Sequence, residues 1–443
     1  MPNNYVLLER TELNASAASV TFANIPQTGY TDLKIVISAR TDWSNGVNAD
    51  GINIRPNGST ASRTAIRLYG SGSSAGSDTN INPIAATNAS STASTFGNAE
   101  FYIPNFTSSN NKSISVDGVS ETNATTTYAG FAAFLWSNTS AITSLQLNPE
   151  NGTNFLANST FSLYGLAALG TTPAIAPKAS GGNIIDFDGT YWIHTFLSSG
   201  TFTPQTGLSC DYLVVAGGGS GGKWIGAGGG AGGVRSTVGA TGGGGSLESK
   251  LSVVSGTNYA ITVGAGGASQ TTSSTAGNSG SNSTFSTVTS TGGGGGGAYS
   301  NIAGITGGSG GGGGHQAVGG SGTANQGYAG GSAVTAANFQ SAGGGGAGAV
   351  GASSTGSGPG AGGNGIATSI TGSSVSYGGG GGGTANAANG AAGGSGGGGA
   401  GSLISGDGVA GTSNTGGGGG GNGNGSNNSG AGGSGIVIIR YLA

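Results

Sequence analysis

The chain has 443 residues, of which 102 are glycine and only 6% are Asp, Glu, Lys or Arg, with a formal charge of -3. So little charge supplies neither a basic stripe to neutralise phosphates nor a polybasic patch, so the composition speaks against nucleic acid and membrane insertion. The single cysteine, Cys210, rules out an intrachain disulfide and a cysteine-based zinc site, and a chain this long exceeds one ordinary domain.

The N-terminus, Met1-Pro2-Asn3-Asn4-Tyr5, has no basic segment followed by an apolar run, and no stretch reaches transmembrane length, so no signal peptide is expected. Residues 1–170 read as short strands between polar turns. Leu33, Ile35, Ile37 and Ala39 alternate with Lys34, Val36, Ser38 and Arg40, the period of two of a strand with one buried face. Further strands are predicted at Val20–Phe22, Ile52–Ile54, Ala65–Tyr69, Glu100–Ile103, Ser113–Val116, Phe131–Trp136, Ser144–Leu147 and Thr160–Leu166. That number of strands with Asn/Gly/Ser turns predicts a β-sandwich of jelly-roll type.

Residues 171–182, punctuated by Pro173, Pro177 and Gly181, read as a linker, and 183–443 as a second, glycine-rich domain. It opens with strands. Ile184–Phe187 and Tyr191–Phe196 flank Asp188-Gly189, a hairpin signal, and Phe202 and Tyr212–Val215 follow. Beyond Ala216 come glycine blocks, with strand-like islands at Tyr259–Val263 and Thr284–Val288, and the chain closes with Ile436–Tyr441. Cys210, beside an apolar strand, reads as a small buried residue.

Gly292–Gly297, Gly378–Gly383 and Gly416–Gly421 are unbroken hexads. Glycine does not recur strictly every third residue and proline is scarce, which excludes collagen; unequal spacing excludes a fixed-period solenoid. The remaining alternatives are a flexible linker and packed polyglycine II helices, whose backbone groups bond to neighbouring helices instead of within their own chain. The aliphatic strands bracketing the region favour polyglycine II: its ends are tied into one β layer. The predicted class is therefore all-β plus polyglycine II.

The candidate sites are few. Gly217–Lys223 spells G-x-x-x-x-G-K after an apolar strand, but Trp224 stands where a phosphate loop needs Ser or Thr, and no helix follows. His194 alternates with Trp192 and Phe196 and reads as structural, near the sheet surface, whereas His315 is placed in an exposed loop. Neither has partners at metal-ligand spacing, so no metal and no cofactor are expected. Asp186-Phe187-Asp188-Gly189 reads as a turn in place of a calcium loop. The acids Asp186, Asp188, Asp211, Glu248 and Asp407 are scattered, and Asp42, Asp50, Glu100, Asp117 and Glu121 single out no pair, so no enzyme is expected. Aromatic residues lie between glycine blocks beside amides and hydroxyls. Tyr299, Asn301, His315, Gln316, Tyr328 and Tyr377 are the candidate binding residues, by ring stacking on a sugar; stapling of the glycine layers is the alternative, favoured for Trp224 and Phe339.

Ser199-Gly200-Thr201-Phe202-Thr203, DYLVVAGGG at 211–219, GGGAGG at 228–233, YAITVGAGG at 259–267, NSTF at 282–285 with TGGGGGG at 291–297, and GGSGIVIIRY at 432–441 together resemble the glycine-rich domain of bacteriophage tail and fibre proteins. Tyr5-Val6-Leu7-Leu8-Glu9 through Val20–Pro26 is similar to N-terminal β domains of phage virion proteins. The resemblance implies polyglycine II helices holding loops that recognise a host glycan or outer-membrane protein. It implies docking to other virion proteins through the first domain, and location on a virion surface, extracellular after lysis. A capsid decoration or head-fibre protein is the alternative, and whether the chain forms a homo-oligomer is open.

Overall fold

The computed structural model describes residues 5–44, 49–82, 84–121, 127–167, 176–333, 339–355, 358–386, 390–402 and 406–443; the first five residues of the expected linker lie outside this set. The protein is all-β. In the first half the strands are β1 (Tyr5–Glu12), β2 (Val20–Phe22), β3 (Tyr30–Ala39), β4 (Asp50–Pro56), β5 (Arg63–Gly70), β6 (Ala75–Asp78), β7 (Ile84–Ala86), β8 (Gly97–Ile103), β9 (Lys112–Ser120), β10 (Tyr128–Trp136), β11 (Leu145–Pro149) and β12 (Thr160–Ala167). In the second they are β13 (Ala179–Ser180), β14 (Ile184–Phe187), β15 (Tyr191–Phe196), β16 (Gly200–Pro204), β17 (Leu208–Val215), β18 (Val234–Ser236), β19 (Leu251–Val253), β20 (Tyr259–Thr262), β21 (Ser283–Phe285), β22 (Val288–Ser290), β23 (Ile366–Thr368), β24 (Val375–Tyr377) and β25 (Ile436–Leu442).

Two compact units divide the chain: residues 1–178 with 183–192 and 442–443, and residues 179–182 with 193–441. In the first, an antiparallel run β14-β1-β12-β3-β8-β9-β10-β5-β6 and a smaller sheet β2-β11-β4-β7 enclose one core. The alternation dictates the packing: along β9, Ile114 and Val116 are buried while Ser113, Ser115 and Asp117 face solvent. Phe22, Ile52, Ile54, Leu145 and Leu147 of the small sheet belong to the same core as Leu33, Phe101, Phe134, Trp136 and Phe161 of the large one. Each such side chain contributes about 1.5–3 kcal/mol by leaving water. The buried Lys112 ammonium is satisfied by the carbonyls of Ser108 (2.7 Å), Asn110 (2.6 Å) and Ser140 (3.0 Å), which fixes the turns beside β9. The Asp188-Gly189 hairpin forms as predicted, with Asp188 Oδ1 accepting from the amides of Thr190 and Tyr191 and Gly189 at φ 96°.

In the second unit, β17 pairs antiparallel with β25 from Asp211↔Arg440 to Val215↔Ile436, so the first and last strands around the glycine region are neighbours in one sheet. A second sheet, β13-β16-β20-β21-β22, supplies Phe202 and Phe285, which meet Tyr441, Tyr212 and His194 edge-on or tilted at 5.2–6.4 Å between ring centres. His194 is wholly buried and not near the sheet surface as expected; its ring nitrogens bond the Gly181 carbonyl (2.7 Å) and the Tyr441 hydroxyl (2.9 Å), and burial pushes its pKa down to about 4. Cys210 is buried in β17, and that burial raises its thiol to about 12. Thr284–Val288 is not one strand: Ser286, at φ 54°, turns the chain so that Phe285 pairs with Val288.

From Ala216 onward, apart from a short 3-10 turn at Gly242–Gly244, the glycine segments form neither helix nor ladder, yet most of their amides are bonded. Successive residues donate in different directions, and every third residue returns to the same neighbour. Gly293 and Gly296 donate to Gly217 and Ser220, while Gly294 and Gly297 donate to Ser309 and Gly312. Gly379 and Gly382 likewise donate to Gly396 and Gly399, whereas Gly380 and Gly383 reach Gly363 and Gly360 in the opposite order. Each segment is thus an extended rod with three-residue periodicity, bonded laterally to parallel and antiparallel neighbours. The approach is close enough that a Cβ on Gly381 would overlap the carbonyl of Gly419, and one on Gly293 those of Gly230 and Ala231.

Candidate binding surface at the tip of the glycine bundle

The rods run to and fro, so their turns gather at two ends. At one end lie β17, β18 and β25. The opposite end, the tip, is built by turns that follow the rods outward. The turn at Lys223–Gly226 carries Trp224 and Ile225 at φ 64° and 48°, a conformation that bulky residues adopt only where surroundings enforce it. The enforcement is visible. Gly222 donates to Ala227, the Gly226 carbonyl accepts from the hydroxyls of Ser341 (2.7 Å) and Thr384 (2.9 Å), and the Gly226 amide donates to Asn422 (2.9 Å). Ile225 is buried beneath the turn and Trp224 is turned outward, 37% exposed.

Trp224 meets Tyr299 from the next turn with ring centres 4.5 Å apart, and the Tyr299 amide donates to the Trp224 carbonyl (2.9 Å). Tyr299 in turn stacks on His315 (5.7 Å, 28°), and His315 on Phe339 (4.9 Å, 29°). Phe339 also meets Tyr299 directly at 6.2 Å, so Tyr299, His315 and Phe339 form a three-ring cluster that Trp224 joins through Tyr299. Phe339, at φ 47°, is 39% exposed, so the cluster shows two of its rings, Trp224 and Phe339, to solvent. Asn301 and Gln316, both exposed and at φ 62° and 58°, lie in the same turns as Tyr299 and His315 and carry amide donors and acceptors to solvent.

Of the six residues singled out from the sequence, Tyr299, Asn301, His315 and Gln316 come together here. His315 differs from expectation in being buried, 8% exposed, because it packs against both Tyr299 and Phe339. Tyr377 is not in an exposed turn: it lies in β24 paired with Ile366, is buried, and its hydroxyl pKa is raised by that burial. Tyr328 is half-buried at the strand end, its amide on the carbonyl of Gly346 (3.0 Å). Trp224 and Phe339 complete the cluster, packing on neighbouring rings while still reaching solvent. The apparent phosphate-loop lysine, Lys223, is buried and donates to the Thr271 carbonyl (2.7 Å), with no helix after it. Among the described residues no helix is long and apolar enough to cross a membrane.

The second unit is thus a main-chain-bonded stack of glycine rods, closed by paired strands at one end and by turns bearing side chains at the other. The chain belongs to the glycine-rich domain family, whose model matches residues 196–442, more than half of the sequence. No curated protein and no solved structure matches it.

Proposed function

We propose that this is a surface protein of a bacteriophage virion, a tail-fibre adhesin that attaches to the host through the bundle tip. In this reading the glycine rods are polyglycine II helices, supported by their three-residue bonding period; a hexad then spans about 19 Å. The first unit docks to other virion proteins. Binding is passive and multivalent, without catalysis, to a host glycan or an outer-membrane protein.

The observation that carries the reading is the aromatic cluster of Trp224, Tyr299, His315 and Phe339, set on main-chain-bonded turns, with Trp224 and Phe339 exposed. Rigid rings flanked by amides give stacking area at small entropic cost. The test uses Trp224→Gly and Phe339→Gly in the virion. Glycine accepts the positive φ at both positions, so the rings are removed while the turns keep their shape. Adsorption to host cells falls at least about tenfold if the tip binds. Unchanged adsorption in the double variant removes the tip from the attachment role, and labelling found on the capsid shell instead of the tail assigns the protein to decoration.

A further inference from the structure

A second site lies wholly within the first unit. Trp43, Tyr69 and Tyr128, all half-buried, surround an open cavity of about 370 Å³ together with Arg67, Asn80 and Glu150. We propose that this cavity binds a neutral saccharide, one or two pyranose rings in size, independently of the bundle tip.

The chemistry of the lining carries the proposal. Three aromatic rings keep part of their surface in a cavity whose remaining side chains are almost all polar, the combination that stacks on the C–H face of a sugar while hydrogen-bonding its hydroxyls. The volume falls at the small end of the roughly 300–1,000 Å³ of ligand cavities. Tyr69 is positioned by Arg67, whose guanidinium lies 5.3 Å from the ring centre. Arg67 is itself fixed by both oxygens of Asp78 (3.1 and 2.6 Å) and the Asn82 carbonyl (2.9 Å), which occupy three of its five N–H groups and leave two for a ligand.

Asp50 and Glu150 divide the acidic work. Asp50 is buried, and its oxygens accept from the Thr41 hydroxyl, the amides of Gly51, Asn151 and Gly152, and the Asn151 side chain, so it is a structural anchor with no capacity left over. Glu150 accepts from Asn80 Nδ2 (2.8 Å) and has no basic partner among the described residues, so it retains acceptor capacity for hydroxyls. Its carboxylate folds over Gly51, where a Cβ would overlap Oε2; the bare backbone at that position makes room for it. With Arg67 neutralised by Asp78 and Glu150 unneutralised, the cavity is negative, which disfavours uronic and sialic acids and favours uncharged sugars. Asp50's saturation also leaves no second carboxylate to share hydrolysis, so the site binds and releases its sugar intact.

The full-length protein is titrated with lactose, maltose and chitobiose, and with glucuronic acid and adenosine as counter-probes, by saturation-transfer NMR and calorimetry. At least one disaccharide binds saturably. Tyr128→Ala and Glu150→Gln each weaken it about tenfold with the melting profile unchanged, while Trp224→Gly at the tip leaves it as it was. The Gln variant also narrows the gap between the disaccharide and glucuronic acid, a readout that loss of packing alone does not move. Absence of saturable binding by all three disaccharides overturns the proposal, as does tighter binding of adenosine or glucuronic acid. Binding that survives both cavity variants, or that disappears with Trp224→Gly alone, also overturns it, whatever the outcome for adsorption.

Discussion

Replacing Gly381 by Ala adds a single methyl group and strikes the bonding of the bundle directly. Gly381 donates to Gly229 and accepts from Gly344, each at 2.9 Å, and its Cβ would overlap the carbonyl of Gly419, which itself accepts from Gly229 at 2.9 Å. Three rods must therefore separate. Forcing a methyl into a filled interior costs about 1–3 kcal/mol, and each of one or two backbone bonds lost adds about 1 kcal/mol, so Gly381→Ala should destabilise the second unit by about 2–5 kcal/mol. Gly207→Ala, in the same unit, is the matched control. The Val253 carbonyl oxygen, the nearest atom to its Cβ, lies at 3.9 Å and its φ is not positive, so reduced freedom of the unfolded chain makes it neutral or stabilising by up to about 1 kcal/mol. Urea titrations of both variants, followed by far-ultraviolet circular dichroism, measure the difference. Equal midpoints for the two would refute close main-chain packing, because a floppy glycine tract has no reason to distinguish the positions.

The two units should respond to pH in opposite senses. His194, with its folded pKa pushed down to about 4, contributes about 3 kcal/mol to the second unit that is present above the unfolded value near 6.5 and is lost as pH falls through about 4; an acid titration of thermal midpoints checks it, and His194→Phe should flatten the slope. Glu9 is held protonated by burial, and further by the nearby Asp186, up to about 9. A raised carboxyl pKa favours the folded first unit below the unfolded value and loses that advantage as pH rises through about 9, so Glu9→Gln should raise its melting midpoint at pH 8 while leaving pH 4 nearly unchanged.

The strands were legible where side chains alternate over several residues, as along Leu33–Ala39, and where apolar runs bracket the glycine, as at Tyr212–Val215 and Ile436–Tyr441. Thr284–Val288 misleads because its β-branched residues hide a left-handed turn at Ser286. β6, with the sequence Ala-Gly-Ser-Asp, has no alternation to read; its pairing with β5 creates it. At the tip, residue type could be read but position could not. Tyr299 follows its hexad and Tyr377 precedes its own; both blocks end at the tip, so the two tyrosines fall at opposite ends of the bundle. Convergence of Trp224 with Tyr299, and of His315 with Phe339, depends on the lateral order of rods, which bonds between nearly identical glycine backbones decide without leaving a pattern in the side chains. The first unit's cavity was missed for the same reason: Trp43, Tyr69, Tyr128 and Glu150 come from distant strands and loops, and no spacing links them.

Amide hydrogen exchange across residues 216–435 tests the main-chain packing most directly, because Gly293, Gly381 and Gly419 donate their amides to lateral bonds deep inside the stack. Exchange at these glycines slowed by at least about a hundredfold relative to the unstructured chain is the predicted result. Exchange at the unprotected rate throughout the glycine segments would contradict it, and the aromatic cluster at the tip would then have nothing to hold it.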